Sequence, residues 1–246
     1  VISAQTAELR LSLRRRVLQR AADYRRRVAP LTPQRLAAGI AYQWRRAPLA
    51  GRDGLLDPAS KTIVVAAEQA PVRQLFSLAH EVMHYLIEND EELLSDLHEA
   101  YEGRRLEAAL EQLCNLGAAE MLLPQRSVLD SLAESGANPR LIWELAARHA
   151  VSQATAAVAL TTSLGDDSLA AIWGGRPMSL FFGAGLCAAP RGAVLPPNHP
   201  LNEVASSGLP HRGPLKLPGS SARSAWARAY RGRVYLLAEG VQSLAR

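Results

Sequence analysis

Phe76-Ser-Leu-Ala-His80-Glu81-Val-Met-His84-Tyr-Leu-Ile87 carries the pattern His-Glu-x-x-His between apolar flanks. From Pro71, a residue suited to the first turn of a helix, Val72, Leu75, Phe76, Ala79, Val82, Met83 and Leu86 recur at helical spacing. Ser77, His80, Glu81, His84 and Glu88 form a narrow polar stripe on the other side. Residues four apart on an α-helix lie about 40° apart in azimuth and one turn apart in height. Two imidazoles so placed reach one metal ion, and the Glu beside the first points at water on that ion. A helix with so apolar a face does not gather ionisable groups without compensation, which a metal supplies. Three fixed letters in five also arise by chance, so the metal reading needs a further ligand elsewhere.

That ligand is expected on a second helix, from about Arg104 to Leu123, which stops at Pro124. Leu106, Leu110, Leu113, Gly117 and Met121 give it an apolar face, and Glu107, Glu111 and Asn115 a polar stripe. Glu111 follows His84 by 27 residues, enough for a loop and an antiparallel return that sets it opposite the histidines. Asn115, one turn on, is placed to accept a hydrogen bond from the ring N–H of a ligating His. The alternative is that Glu107 and Glu111 are solvated helix positions. With His80, His84 and Glu111 as ligands, a fourth position stays open, as in catalytic rather than structural zinc sites. Glu81 then serves as the base that takes a proton from water and hands it to a leaving amine. His98 and Tyr101, in the acidic segment Asn89–Glu102, are residue types suited to stabilising an oxyanion. Zinc is the default ion, and a His/His/Glu set also accepts manganese.

Composition bounds the class. The 246 residues, 48% of them hydrophobic, suffice for one large domain or two to three small ones around real cores. Cys114 and Cys187 stand far apart in no ligand spacing, which fits a reducing, cytoplasmic setting and excludes a disulfide framework. No apolar run reaches the roughly 18 residues of a membrane span, and no signal peptide is visible. The net charge of +5 hides an asymmetry. Residues 1–52 hold twelve arginines against Glu8 and Asp23, whereas residues 80–120 hold eleven acids against Arg104 and Arg105. A basic N-terminal region attracts nucleic acid or an acidic partner, or simply complements the acidic segment of its own chain.

Along the chain, residues 4–28 read as an Arg-rich amphipathic helix ended by Pro30, and Pro33 opens a second one running to about Trp44. Lys61–Ala67 is a β-branched strand in a hairpin with Gly54–Asp57, and its edge is expected to receive an extended substrate. Beyond Pro124, a short helix near Arg126–Glu134 precedes two more, joined by a turn near His149–Ser152 in a helix-turn-helix. Ser152 is the expected N-cap of the last helix, which offers Gln153 and threonines but no cation for reading base edges. Gly165–Ser168 reads as a boundary. Leu169–Trp173, Ser179–Phe182 and Arg233–Leu237 read as strands, Pro190–Ser221 as loops in which His199 and His211 are ordinary residues, and Ala222–Ala229 as a short helix. The fold class is therefore α/β of the α+β kind: residues 1–125 mainly helical with a small sheet, residues 126–165 a helix-turn-helix, residues 166–246 a small α/β module.

Phe76-Ser-Leu-Ala-His80-Glu81-x-x-His84, Glu111-x-x-Cys-Asn115 and Ala118-Ala-Glu-Met-Leu-Leu-Pro124 together resemble the ImmA/IrrE family of zinc-dependent peptidases. Leu94-Ser-Asp-x-His98-x-Ala-Tyr-Glu-Gly103 is similar to the radiation-response members of that family, and the likeness is strong over about residues 50–165. Cys114 stands where alanine is usual in the family. The resemblance implies His80, His84 and Glu111 as metal ligands, Glu81 as catalytic base and a GAF-like C-terminal sensor for a small-molecule signal. It also implies cleavage of a helix-turn-helix repressor of the DdrO type, inducing DNA repair after radiation or desiccation. The competing expectation is a DNA-binding activator with a metal site that does no chemistry.

Overall fold

A computed structural model describes residues 4–165, 167–174, 179–182, 195–217 and 220–243; Asp166, Gly175 and Cys187 lie outside these. The chain divides into two compact units, Val1–Pro124 and Gln125–Arg246. Among the described residues no helix is long and apolar enough to cross a membrane.

The first unit runs α1 (Ala4–Val28), α2 (Pro33–Ala38), β1 (Gln43–Ala47), β2 (Gly54–Asp57), β3 (Thr62–Ala66), α3 (Pro71–Glu88), α4 (Glu91–Ala100) and α5 (Arg104–Leu122). Leu13, Val17, Ala21, Tyr24 and Val28 bury one stripe of α1 at steps of three and four, as the sequence predicts. Pro33 does open a helix, capped by Thr32, but it stops at Ala38. The expected continuation to Trp44 is wrong, because Trp44 lies on β1, paired in parallel with Ile63.

The small sheet has the order β1-β3-β2, with β2 antiparallel to β3. β3 is thus the central strand, and Ile63, Val64, Val65 and Ala66 are buried in succession because both faces are covered. It has no free edge, so the expectation that Lys61–Ala67 receives a substrate strand is corrected: the open edges belong to β1 and β2. Ala70, the N-cap of α3, makes no side-chain cap bond. Instead Gln74 Nε2 donates to the carbonyls of Ala66, Ala67 and Gln69, at 3.3, 3.1 and 3.0 Å, and fixes the start of α3 to the end of β3. Ser77, placed by the sequence in the polar stripe, is buried and bonded to Gln69 Oε1.

The acidic segment is a helix, α4. Asp90 caps it by accepting from Leu93 N, and Glu91 and Glu92 occupy the first turn, where the helix dipole favours them. Leu93, Leu97 and Ala100 bury its inner side. Its outer side meets α1: Arg16 pairs with Asp90, Glu92 and Asp96, and Arg20 with Asp90. Much of the basic charge of the N-terminal region therefore complements acids of its own unit. Burial alone would push the Asp90 carboxyl up, but the Arg20 and Leu93 hydrogen bonds and the charges of Arg20 and Arg16 outweigh it and hold it below the usual range. The stability this contributes is present above the unfolded value of about 3.9 and lost as pH falls through the lower folded value. Asp90→Asn should lower thermal stability at pH 7 and flatten the loss of stability below about pH 4, read by thermal unfolding across pH.

The second unit runs α6 (Gln125–Ser135), α7 (Leu141–His149), α8 (Gln153–Leu164), β4 (Leu169–Trp173), β5 (Ser179–Phe182), α9 (Pro200–Ser207), β6 (His211–Leu217), β7 (Ser220–Tyr230) and β8 (Arg233–Ser243). Ala150 in the left-handed region turns the chain between α7 and α8, and Ser152 caps α8 by accepting from Thr155 N. The five strands form an antiparallel sheet of order β5-β4-β8-β7-β6. Two expectations fail here. Residues 222–229 are strand, not helix: Ala222, Ala225, Ala227 and Ala229 line one face, where small side chains let α9 approach, and the ladder to β8 overrides their helix propensity. The stretch read as loops, 190–221, contains α9 and β6. His199 is the N-cap of α9, its Nδ1 accepting from Leu201 N at 3.2 Å and its Nε2 lying 2.7 Å from the Lys216 carbonyl, and His211 lies on β6.

Candidate metal centre

The chemistry of the first unit collects where α3 and α5 cross. The two helices approach closely because position 117 is glycine: a Cβ there would fall 2.5 Å from Met83 Cε and 2.8 Å from its sulfur. This contact brings Glu111 against the histidines one and two turns away. Glu111 Oε2 lies 3.3 Å from His80 Nε2, Glu111 Oε1 lies 3.2 Å from His84 Nε2, and the two Nε2 atoms are 3.2 Å apart. One donor atom from each residue falls within a mutual 4.8 Å.

Protonation follows from the neighbours. Asn115 Oδ1 accepts a hydrogen bond from His80 Nδ1 at 3.1 Å, which leaves the Nε2 of that ring as a lone pair. Glu88 Oε1 lies 3.5 Å from His84 Nδ1 and directs the second ring in the same sense. Two nitrogen lone pairs and a carboxylate then face one another, and such a set is stabilised only by a cation between them. Donors about 2.0–2.1 Å from a tetrahedral ion stand about 3.3–3.4 Å apart, close to the three separations found. Burial, and then the charge of His84, push the His80 imidazole below its usual value against the pull of Glu111 and Asn115. A neutral ring is the form that ligates. The residues fit a divalent ion.

Glu81 occupies the adjoining position. Burial pushes its carboxyl up, His84 pulls it down, Glu111 raises it again, and the backbone N–H of Leu56 donates to it. That N–H lies on the open edge of β2: the Ala66 N–Asp53 O bond points residue 53, and by alternation 55 and 57, towards β3. The main-chain groups of Gly54 and Leu56 therefore face outward. Gly54 is required there, since a Cβ would stand 2.7 Å from Glu81 Oε1 and 2.9 Å from its Cγ. Glu111 is 58% exposed, against 15% and 16% for the histidines, so the cluster opens to solvent on its α5 side.

The other residues singled out from the sequence have surroundings of their own. His98 is exposed on α4 and is not in the donor cluster. Tyr101 lies beneath the Arg10 guanidinium of α1, 4.4 Å from ring centroid to carbon, in a cation–π contact. Cys114 is fully buried, and burial, with Glu111, Glu88 and Glu81 adding to it, pushes its thiol up and keeps it protonated and inert. Glu88, Gly54 and the Leu56 amide are the participants that the sequence reading gave no role. Glu88 was legible as the i+4 neighbour of His84, whereas the other two act through main-chain atoms across the fold. Asn115→Ala and Glu88→Ala should each weaken metal binding about 10–100-fold by freeing a ring to turn, measured by competition with a chromogenic chelator.

Comparison with known proteins agrees with this geometry. Residues 41–161 match the IrrE N-terminal-like domain profile. The chain is 45% identical over 114 residues to the radiation response metalloprotease IrrE of Deinococcus radiodurans, and 46% identical over 113 residues to that of Deinococcus deserti. Each match covers 46% of this chain but only 35% and 40% of the relatives' own lengths. A Mycobacterium tuberculosis transcriptional regulator of known structure shares the fold, with a TM-score of 0.54 at 15% identity over 94% of this chain and 76% of its own. Residues 41–161 of the chain therefore carry an IrrE N-terminal-like domain.

Proposed function

We propose that this protein is a zinc-dependent, site-specific peptidase that cuts a helix-turn-helix transcriptional repressor of the DdrO type in the cytoplasm, inducing a radiation or desiccation response. The observation that carries the chemistry is the meeting of His80, His84 and Glu111 beside Glu81 at the outward edge of β2. The radiation-response name of the Deinococcus relatives supports the physiological setting. Held by the two imidazoles and the carboxylate, zinc or manganese would supply Lewis acidity to a peptide carbonyl and to water. The rest falls to the chain itself. Glu81, held in place by the Leu56 N–H and desolvated by burial, accepts the proton that water gives up and returns it to the leaving amine. The outward main-chain groups of Gly54 and the Leu56 carbonyl support a substrate held as an added strand. His98 and Tyr101 stay candidates for stabilising the oxyanion.

Residues 126–165 act in this reading as an accessory helix-turn-helix, and residues 166–246 as a GAF-like module that senses a small molecule. Gln153, the side chain on α8 best suited to a base edge, already accepts from Arg233 Nη1 at 2.9 Å, which counts against major-groove reading by that helix. The test is incubation of the zinc-loaded protein with a purified repressor of this type. Two fragments, lost on chelation and restored by metal, are expected. An uncut repressor sinks the proposal, and promoter activation that persists in Glu81→Gln favours the DNA-binding activator instead.

A further inference from the structure

Arg16, Arg20 and Arg26 of α1 pair with acids of their own unit, but another set of cations does not. Between residues 204 and 238 the sequence contains Arg212, Lys216, Arg223, Arg228, Arg231 and Arg233, and no Asp or Glu. They lie on or beside β6, β7 and β8. Among the described residues, none of the six forms an ion pair with an acid.

The strand register sorts them by face. Ala225, Ala227, Leu215 and Leu217 point into the core beneath α9, so Trp226, Arg228 and Lys216 point the other way. Arg212 sits directly across from Trp226, and its guanidinium lies 3.7 Å from the centre of the indole ring. Arg212, Lys216 and Arg228 are exposed and Trp226 is half-buried between them, whereas Tyr230 stacks on Trp143 of α7 and Tyr235 and Leu237 of β8, on the same face, are buried. The acid on this face is Glu239, across from Ser224. A strip of exposed cations around an indole ring is suited to tracking a phosphate backbone. The predominance of arginine favours nucleic acid over an acidic peptide, because its planar fork both pairs with phosphate oxygens and stacks on rings.

We propose that the outer face of β6 and β7, around Arg212, Lys216, Trp226 and Arg228, binds the phosphate backbone of nucleic acid without reading its sequence. The proposal stands apart from the peptidase reading and survives or fails without it. The probe is a fluorescein-labelled 20-nucleotide oligothymidine, with a 20-base-pair duplex as a second arm, titrated with the full chain and followed by anisotropy. About four phosphate contacts predict a fall in affinity of about 50-fold for the single strand between 50 and 200 mM salt. The triple variant Arg212→Ser, Lys216→Ser, Arg228→Ser should bind at least tenfold more weakly and lower the salt slope by about two. Its circular dichroism and melting should match those of the parent. Arg14→Ser, Arg15→Ser, Arg52→Ser removes equal charge from exposed positions of the first unit and should bind as the parent does. A preference for one arm assigns the strand form. Absence of binding to both arms at 50 mM salt, equal losses in the two triple variants, or displacement by polyglutamate as effective as by unlabelled oligonucleotide overturns the proposal.

Discussion

Glu81→Gln is expected to lower peptide cleavage by about 10²–10⁴-fold while leaving fold and metal content unchanged. Glutamine has the same shape and keeps an oxygen for the Leu56 N–H, so β2 and α3 retain their contact. It ligates nothing in the cluster, since the donor atoms come from His80, His84 and Glu111. What it loses is the ability to take a proton. Single-turnover cleavage, with metal content by atomic absorption and melting by circular dichroism, separates these effects. A variant that keeps its metal and cleaves within tenfold of the parent would remove Glu81 from the chemistry.

Gly117→Val should be the most damaging change outside the cluster. Its first side-chain atom would overlap the end of Met83, which is fully buried, and the two further methyl groups would add to the crowding. Overpacking of this kind costs about 1–3 kcal/mol. Alanine is a poorer probe, because replacing glycine inside a helix gains about 1 kcal/mol of propensity and masks part of the strain. If α5 moves outward to relieve the contact, Glu111, on the same helix, moves with it. The expected result is a melting temperature several degrees lower together with weaker zinc binding. Equal melting temperatures for variant and parent would show that the crossing is not tight at this point.

The helices that build the centre were legible because strong local signals agree over long stretches. In α3 and α5, Pro71 and Pro124 punctuate an unbroken 3.6-residue period, and i,i+4 spacing alone pairs His80 with His84. Elsewhere the deciding contacts are distant in sequence. The alanines of β7 favour helix locally, and the partner that makes them a strand is β8. The complement between the basic N-terminal region and the acidic segment was legible as charge asymmetry, but the partners, Arg16 with Glu92 and Arg20 with Asp90, meet across 70 or more residues and were not. Trp44 and its arginines carry no alternation that marks a strand, and β1 exists because β3 pairs with it. The support given to Glu81 by Leu56 is a main-chain hydrogen bond, for which no side-chain pattern codes.

The α1–α4 contact also bears on where the domain can be cut. The family-matched region starts at residue 41, yet the side of α4 that carries Asp90 and Asp96 is neutralised by α1, which precedes that boundary. Leu13, Val17, Ala21 and Tyr24 pass into the same interior, and Arg25 donates to the carbonyls of Met121 and Leu122 at the end of α5. An excised fragment beginning at residue 41 would expose apolar surface under α5 and strand a row of carboxylates on α4. The portion of this chain that builds the metal centre is therefore larger than its most recognisable stretch, and α1 belongs to any version of it meant to fold.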